Sequence, residues 1–228
     1  MPGPLFAGSP ADRLANSKNG KLSRTWKRYR PMLYLAVDSG MRPQEYLVIA
    51  NADIKIDGVQ VTRALERGGH RLSVPKTPAG RRFIGLSDAT LDMLRHYAMH
   101  EAVTNKYDLV FPTATGHWQD TTNWCKRGFH AACWEAGLVE KVENVRGKEI
   151  ERPMFRPYDL RHFYASMLIE QRKPLKRIQA LMGHEDIHTT LSVYGHLIER
   201  IESAADTHRG LLSSLARNSC GESVALTT

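Results

Sequence analysis

Apolar residues recur at helical spacing from Trp26 to Val37 (Trp26, Tyr29, Leu33, Ala36, Val37), and Ser39-Gly40 reads as the stop. Pro31 falls inside that window, where it either kinks the helix or marks its true start. Arg42-Pro43 opens a second, short helix with the proline near its first position. The period then changes. IKID, VQVTRAL, HRLSVPK and RRFIGL are short and rich in β-formers, and Asp57-Gly58, Gly68-Gly69 and Pro78-Ala79-Gly80 separate them. Such a run predicts a small antiparallel sheet joined by hairpin turns. Ser87 caps a helix through about Tyr97, and another helix is expected from about Thr121 to Ala136, ended by Gly137. The charged stretch VEKVENVRGKEIER predicts an exposed loop or hairpin. Further helices follow over Asp159 to Glu170, from Pro174 to Met182-Gly183, and over about Ile187 to Leu215. Tyr194-Gly195 is where a break in the last one would fall.

The sum is an α+β domain, mostly helical with a small antiparallel three-stranded sheet. Residues 1–22 are rich in Pro, Gly, Ser, Asn and Lys and read as a flexible lead or linker. The folded domain is expected over 23–215, and 216–228 reads as a mobile polar tail. No internal repeat is visible.

Composition narrows the function. The formal net charge of +8 and pI near 9.5 favour a nucleic-acid partner over an anionic membrane surface. No apolar run is long enough to span a membrane, and MPGPLFAGSP lacks the pattern of a secretory signal. The three cysteines are too few and irregular for a disulfide framework, so a reducing cytoplasm is expected. Cys125 and Cys133 read as small apolar residues of one helix.

The polar residues that need explaining sit at element boundaries, where loops present side chains to a ligand. They are Arg42 in SGMRPQE, Lys76 in SVPKTPAGRR, Arg161 in YDLRH, and His184 and Tyr194 in GHEDIHTTLSVY. Two guanidinium groups, an ammonium, an imidazole and a phenol have a phosphodiester as a natural partner. The last stretch also holds a literal H-E-x-x-H (His184, Glu185, His188), the spacing of a zinc hydrolase. That site needs both imidazoles on one helix and a third ligand. Gly183 follows the helix-like PLKRIQALM and places His184 at a helix end instead. No metal and no cofactor is therefore expected.

In this order, the segments resemble the catalytic domain of the tyrosine recombinases, the phage integrase family, from about Trp26 to Leu197. SGMRPQE is similar to the family's first arginine box, with Arg42 on phosphate and Glu45 orienting it. PKTPAGRRFIGL is similar to its β-hairpin lysine segment, with Lys76 reaching the cleavage point. YDLRHFYAS is similar to the second box, with Arg161 as its arginine. LMGHEDIHTTLSVYGHL resembles the end of the motif, with His184 as the late histidine and Tyr194 as nucleophile.

The resemblance implies attack by Tyr194 on the scissile phosphate and a 3′-phosphotyrosyl bond, without ATP or metal because one ester replaces another. Arg42 and Arg161 would neutralise the transition state, Lys76 would protonate the departing 5′-oxygen, and His184 would accept the Tyr194 proton or bind phosphate. Double-stranded DNA is the implied partner, with a homotetramer on DNA and, in some systems, accessory DNA-bending proteins. An integrase of a phage, genomic island or other mobile element fits best.

One position and one larger feature depart from the family. Tyr158 stands where the second box carries a histidine; a phenol donates to phosphate but is a poor base at neutral pH. More of the proton transfer then falls to His184. His162 and His196 are expected to face elsewhere in supporting roles. Residues 1–22 are also too few for the helical DNA-clamping domain that usually precedes the catalytic one, so weak, salt-sensitive DNA binding is expected. Two other readings stay open. A type IB topoisomerase uses similar tyrosine chemistry, and PLKRIQALMGHEDIHTTLSVYGHL also reads as a non-catalytic helix-turn-helix.

Overall fold

The computed structural model describes residues 8–66, 68–69, 71–75 and 77–205. Its first helix, α1 (Pro10–Ala15), lies within the stretch expected as a flexible lead. That expectation does not hold for α1. Ser9 caps it, Ala11 and Leu14 are buried, and the Asp12 carboxylate is paired with Arg30 of the next helix. Ser, Asn and Pro here are capping and first-turn residues rather than linker residues.

Helix α2 (Gly20–Ser39) starts where the Asn19 side chain accepts from the Lys21 and Leu22 amides, and Pro31 is carried in its interior. Trp26, Tyr29, Met32, Leu35 and Ala36 form its buried stripe. It packs on α1, on α4 (Asp88–His100) and on α7 (Asp159–Glu170). Gly40 ends α2 at φ +59, and a Cβ there would lie 2.2 Å from Cδ1 of Tyr164. Both the left-handed backbone and the close approach require glycine. Gly40→Ala is expected to cost on the order of 1–3 kcal/mol, read as a lower midpoint in urea unfolding. Little change would contradict this packing.

A short helix, α3 (Pro43–Tyr46), follows at once, and Arg42 is its N-cap. The β region is built of two-stranded ladders. β1 (Gly58–Gln60) pairs antiparallel with β4 (Phe83–Gly85), in the register Val59 to Ile84. β2 (Ala64–Leu65) pairs with β3 (Leu72–Ser73). The expected strand VQVTRAL thus splits at Thr62-Arg63. The reason is local: Thr62 donates to Asp53 at 2.9 Å, and Arg63 donates to the carbonyls of Val48 and Tyr107 at 2.6 and 2.7 Å. These tethers turn the chain between the ladders.

The helix expected over Thr121 to Ala136 is α5 (Thr121–Asn123), a π-helical stretch (Trp124–Phe129) and α6 (His130–Glu135) in series. Trp124 is fully buried, donates to the Tyr46 hydroxyl at 2.8 Å and packs edge-on against Tyr29. The charged stretch forms a hairpin, β5 (Val139–Glu143) with β6 (Glu149–Pro153), laced by Lys141–Glu149 and Arg152–Glu140 pairs. Helix α7 spans the residues expected.

α8 (Leu175–Met182) ends on Gly183 at φ +63, and α9 (Ile187–Ala205) runs through Tyr194-Gly195 without a break. An interior glycine costs about 1 kcal/mol. The packing of α9 on α7 and α8 outweighs that cost. Those three helices enclose a small core of their own: Ala165, Leu168, Ile169, Ile178, Leu181, Met182 and Tyr194. The larger core lies under α2, α3, β1 and the π-helical stretch. The fold is α+β and mostly helical, as expected, but the described strands form separate two-stranded antiparallel ladders and not the expected three-stranded sheet, because the Thr62 and Arg63 tethers turn the chain between them. Residues expected to form the end of the last helix and the polar tail, 206–228, lie outside the described residues.

Candidate active site

The C-terminal end of α8 organises the site. The last carbonyls of a helix lack intrahelical donors and carry partial negative charge, so they attract cations. Here three successive carbonyls each accept from a different arginine. Arg82 Nε donates to Leu181 O at 2.7 Å, Arg161 Nη2 donates to Met182 O, and Arg42 Nη2 donates to Gly183 O at 3.3 Å. Arg161 is 1% exposed and its Nη1 also donates to Gly40 O at 2.7 Å. Residues separated by most of the chain are thereby brought to one spot.

Glu45 underlies the group. Its Oε1 accepts from Arg42 Nη1 at 3.1 Å and from Arg82 Nη1 at 3.0 Å. Its Oε2 accepts from the Arg42 amide and from Arg82 Nη2, both at 2.8 Å. Burial alone would raise its pKa, but the Arg82 hydrogen bonds and charge, with Arg42, hold it below the usual carboxylate value. One carboxylate thus faces three guanidinium groups, and the excess positive charge is concentrated in a low-dielectric pocket. Burial, then the charges of Arg42 and Arg82, push the Arg161 pKa down to about 10. The Arg42 side chain stays about one-third exposed and is the guanidinium best placed to meet a ligand. The sequence reading gave Glu45 a single partner and passed over Arg82. The signal was there: a charged residue within the strand-like RRFIGL, whose alternation turns it inward.

His184 follows Gly183 directly, in the connection before α9. Its Nδ1 is 2.8 Å from the buried Thr190 hydroxyl. Burial, then the charges of Arg161, Arg42 and Arg82, push its pKa down to about 4. The imidazole is therefore neutral at pH 7 and offers a hydrogen bond rather than a charge. His188 belongs to α9 and His184 does not, so the two imidazoles of the H-E-x-x-H stretch do not share a continuous helix. The linkage sign follows. Since the folded-state pKa lies below the ordinary value of about 6.5, the unfolded chain binds the proton first and stability falls as pH drops from about 6.5 to 4. His184→Asn is expected to flatten that slope in urea titrations across this range. An unchanged slope would contradict the burial of a neutral His184.

Tyr194 lies on α9, 4% exposed, and burial pushes its pKa up to about 12 despite the nearby Arg161 charge. Its hydroxyl lies 2.8 Å from Nδ1 of His162, not at His184. His162 therefore does not face elsewhere. It sits one residue beyond Arg161, and the first turn of α7 points the two side chains to adjoining parts of one site. Tyr158, just before α7, is exposed, and its ring stands edge-on to His162, with centroids 5.2 Å apart. His162 makes the same kind of contact with Tyr194 at 5.7 Å. Arg42, Arg161, His184, Tyr194 and Tyr158 are thus brought together, with Arg82, Glu45 and His162 added. Lys76 lies outside the described residues.

A family model described as the phage integrase family matches residues 12–200. The chain is 24% identical over 202 residues to a protein named tyrosine recombinase XerC-like from Caldanaerobacter subterraneus subsp. tengcongensis, covering 78% of this chain and 48% of that one. It is 26% identical to tyrosine recombinase XerD of Vibrio cholerae, covering 79% and 53%. The chain therefore spans about half the length of these curated relatives. Among solved structures it superposes on the Tn1549 transposon integrase in complex with a circular intermediate DNA, with TM-score 0.61 and 15% identity, covering 96% of this chain and 65% of that one. It also superposes on the XerH site-specific recombinase bound to palindromic difH substrate, with TM-score 0.60 and 20% identity, covering 87% and 49%. At those identities the likeness is one of fold.

Proposed function

The chain belongs to the phage integrase family, and from that membership we propose that it breaks and rejoins double-stranded DNA as a site-specific recombinase or integrase. The observation that carries this reading is the convergence of Arg42, Arg82 and Arg161 on three successive carbonyls beside the Tyr194 helix. Such a concentration of positive charge suits an anionic ligand, and a phosphodiester next to a phenol is a target for attack.

In the proposed reaction the Tyr194 oxygen attacks phosphorus and expels the 5′-oxygen, leaving a 3′-phosphotyrosyl link. Arg42 and Arg161 hold the non-bridging oxygens, and His184 and Tyr158 add hydrogen bonds. Arg82 does not touch phosphate; through Glu45 it holds Arg42 in place. Lys76 gives the departing oxygen its proton. Ester is exchanged for ester, so the energy of the broken bond is kept and neither ATP nor a metal ion enters the balance. Exchange between two duplexes engages four such sites, hence a tetramer on DNA, with accessory DNA-bending proteins in some settings. The proteins named above include a transposon integrase and tyrosine recombinases, and a mobile-element integrase is in keeping with them.

The target sequence is open to selection, so the test uses a pool of nicked duplexes with randomised cores, incubated with the chain in EDTA. The expected product is a protein–DNA adduct that survives detergent, carries the 3′-phosphate strand and leaves a free 5′-hydroxyl. A joined product between two labelled duplexes separates recombination from simple relaxation. Strand cleavage that requires a divalent metal, or no adduct with any duplex, would overturn the proposal.

A further inference from the structure

We infer that His162 is the general base for Tyr194, taking the phenolic proton through Nδ1 as the tyrosine oxygen attacks phosphorus. The inference rests on the proposed recombinase reading and names a residue that the reading does not assign.

Geometry carries it. Nδ1 of His162 is 2.8 Å from the Tyr194 hydroxyl, within direct proton-transfer reach. The ring is clamped edge-on between Tyr158 and Tyr194, so its orientation toward the hydroxyl is fixed by packing. Position on the chain adds to this. His162 follows Arg161, and Arg161 is fastened at both ends, to Gly40 O and to Met182 O. A base on the same helical turn as the deeply buried arginine is held in register with the phosphate that arginine would grip.

The other candidates are weaker. Tyr158 stands where the family pattern has a histidine, and a phenol does not accept a proton at neutral pH. His184 has its Nδ1 at Thr190, and burial with three nearby guanidinium groups makes its imidazole a poor acceptor. Tyr194 itself needs help, because burial disfavours the bare phenolate. Tyr158 then acquires a second purpose: its ring walls His162 toward Tyr194.

The step balances. His162 starts neutral with its proton on Nε2. A lone pair of the Tyr194 oxygen forms the O–P bond while the P–O5′ bond breaks. The phenolic proton moves to His162 Nδ1, and the departing O5′ takes a proton from the general acid. On rejoining, His162 returns its proton to the tyrosine oxygen as that oxygen leaves phosphorus.

The test measures adduct formation on nicked duplexes by the full chain and its variants, with DNA binding and circular dichroism as controls for folding. His162→Ala is expected to slow adduct formation by about a hundredfold or more. Added imidazole should recover part of the loss. So should 2,3-difluorotyrosine placed at position 194, since a more acidic phenol depends less on a base; a gain of about tenfold is expected there. The same fluorotyrosine should give no such gain in Arg161→Ala. His162→Ala forming adduct within about threefold of the unaltered chain would overturn the inference, since general bases contribute about a hundredfold or more. So would a loss that neither imidazole nor fluorotyrosine relieves, which would make His162 a packing residue. Either result leaves the recombinase reading intact, because the unaltered chain still forms the adduct. Failure of the unaltered chain to form any adduct overturns both.

Discussion

Glu45→Ala is expected to destabilise the fold by about 3–5 kcal/mol, the usual cost of removing one partner of a buried ion pair. The carboxylate is 3% exposed and takes four hydrogen bonds, from Arg42 and Arg82. Its removal leaves the buried Arg82 guanidinium with only the Leu181 and Gly80 carbonyls, facing two like charges. Glu45→Gln keeps the shape and loses the charge, so it should fall between the parent and Glu45→Ala. The pH dependence has a definite sign. The folded-state pKa of Glu45 lies below its ordinary value, so its contribution is full above about pH 4.3 and fades as pH drops through the folded value. Urea unfolding of the three proteins at pH 7 checks the ranking. A loss below about 1 kcal/mol for Glu45→Ala would mean the arginines are not held as described.

How much of this was visible beforehand depends on the kind of information each feature needs. Helices α4, α7 and α8 were legible because capping and periodicity are local: Ser87, Asp159 and Gly183 mark ends in the sequence itself. Helix α1 was not, because six residues of Pro, Ala, Asp, Arg and Leu make a stable turn only when Leu14 and the Asp12–Arg30 pair find α2. The split of VQVTRAL depends on Arg63 reaching Val48 and Tyr107, contacts with no local signature. In the site, Arg42, Arg161, His184 and Tyr194 were picked out by motif, and Tyr158 by its departure from one. Arg82 has no motif to mark it, and His162 reads as facing elsewhere, because each matters through a partner far along the chain, Glu45 and Tyr194. The order of the boxes is legible in the sequence; the placement of charge and hydrogen bonds among their residues requires the fold.

Tyr194→Phe is expected to abolish the covalent adduct while leaving DNA binding within about twofold. Removing the hydroxyl costs one hydrogen bond to His162, about 0.5–1.5 kcal/mol, which is too little to unfold a domain with this core. The arginine cluster does not touch the deleted atom, so affinity for DNA and its salt dependence should persist. Chemistry is another matter: on the proposed reading the deleted oxygen is the nucleophile, so no covalent link can form. A filter-binding titration beside a denaturing gel separates the two effects. A large loss of binding would show that Tyr194 supports the fold of the site rather than the reaction.

Tyr158 gives the central claim its sharpest test, because an exposed phenol stands beside His162 and within electrostatic reach of Arg161. Proteolysis of the trapped adduct followed by mass mapping identifies the residue that carries the nucleotide. The account predicts the modification on Tyr194, in the α9 peptide that includes Leu191 to Ile198. A nucleotide on Tyr158, or on any residue other than Tyr194, would contradict it.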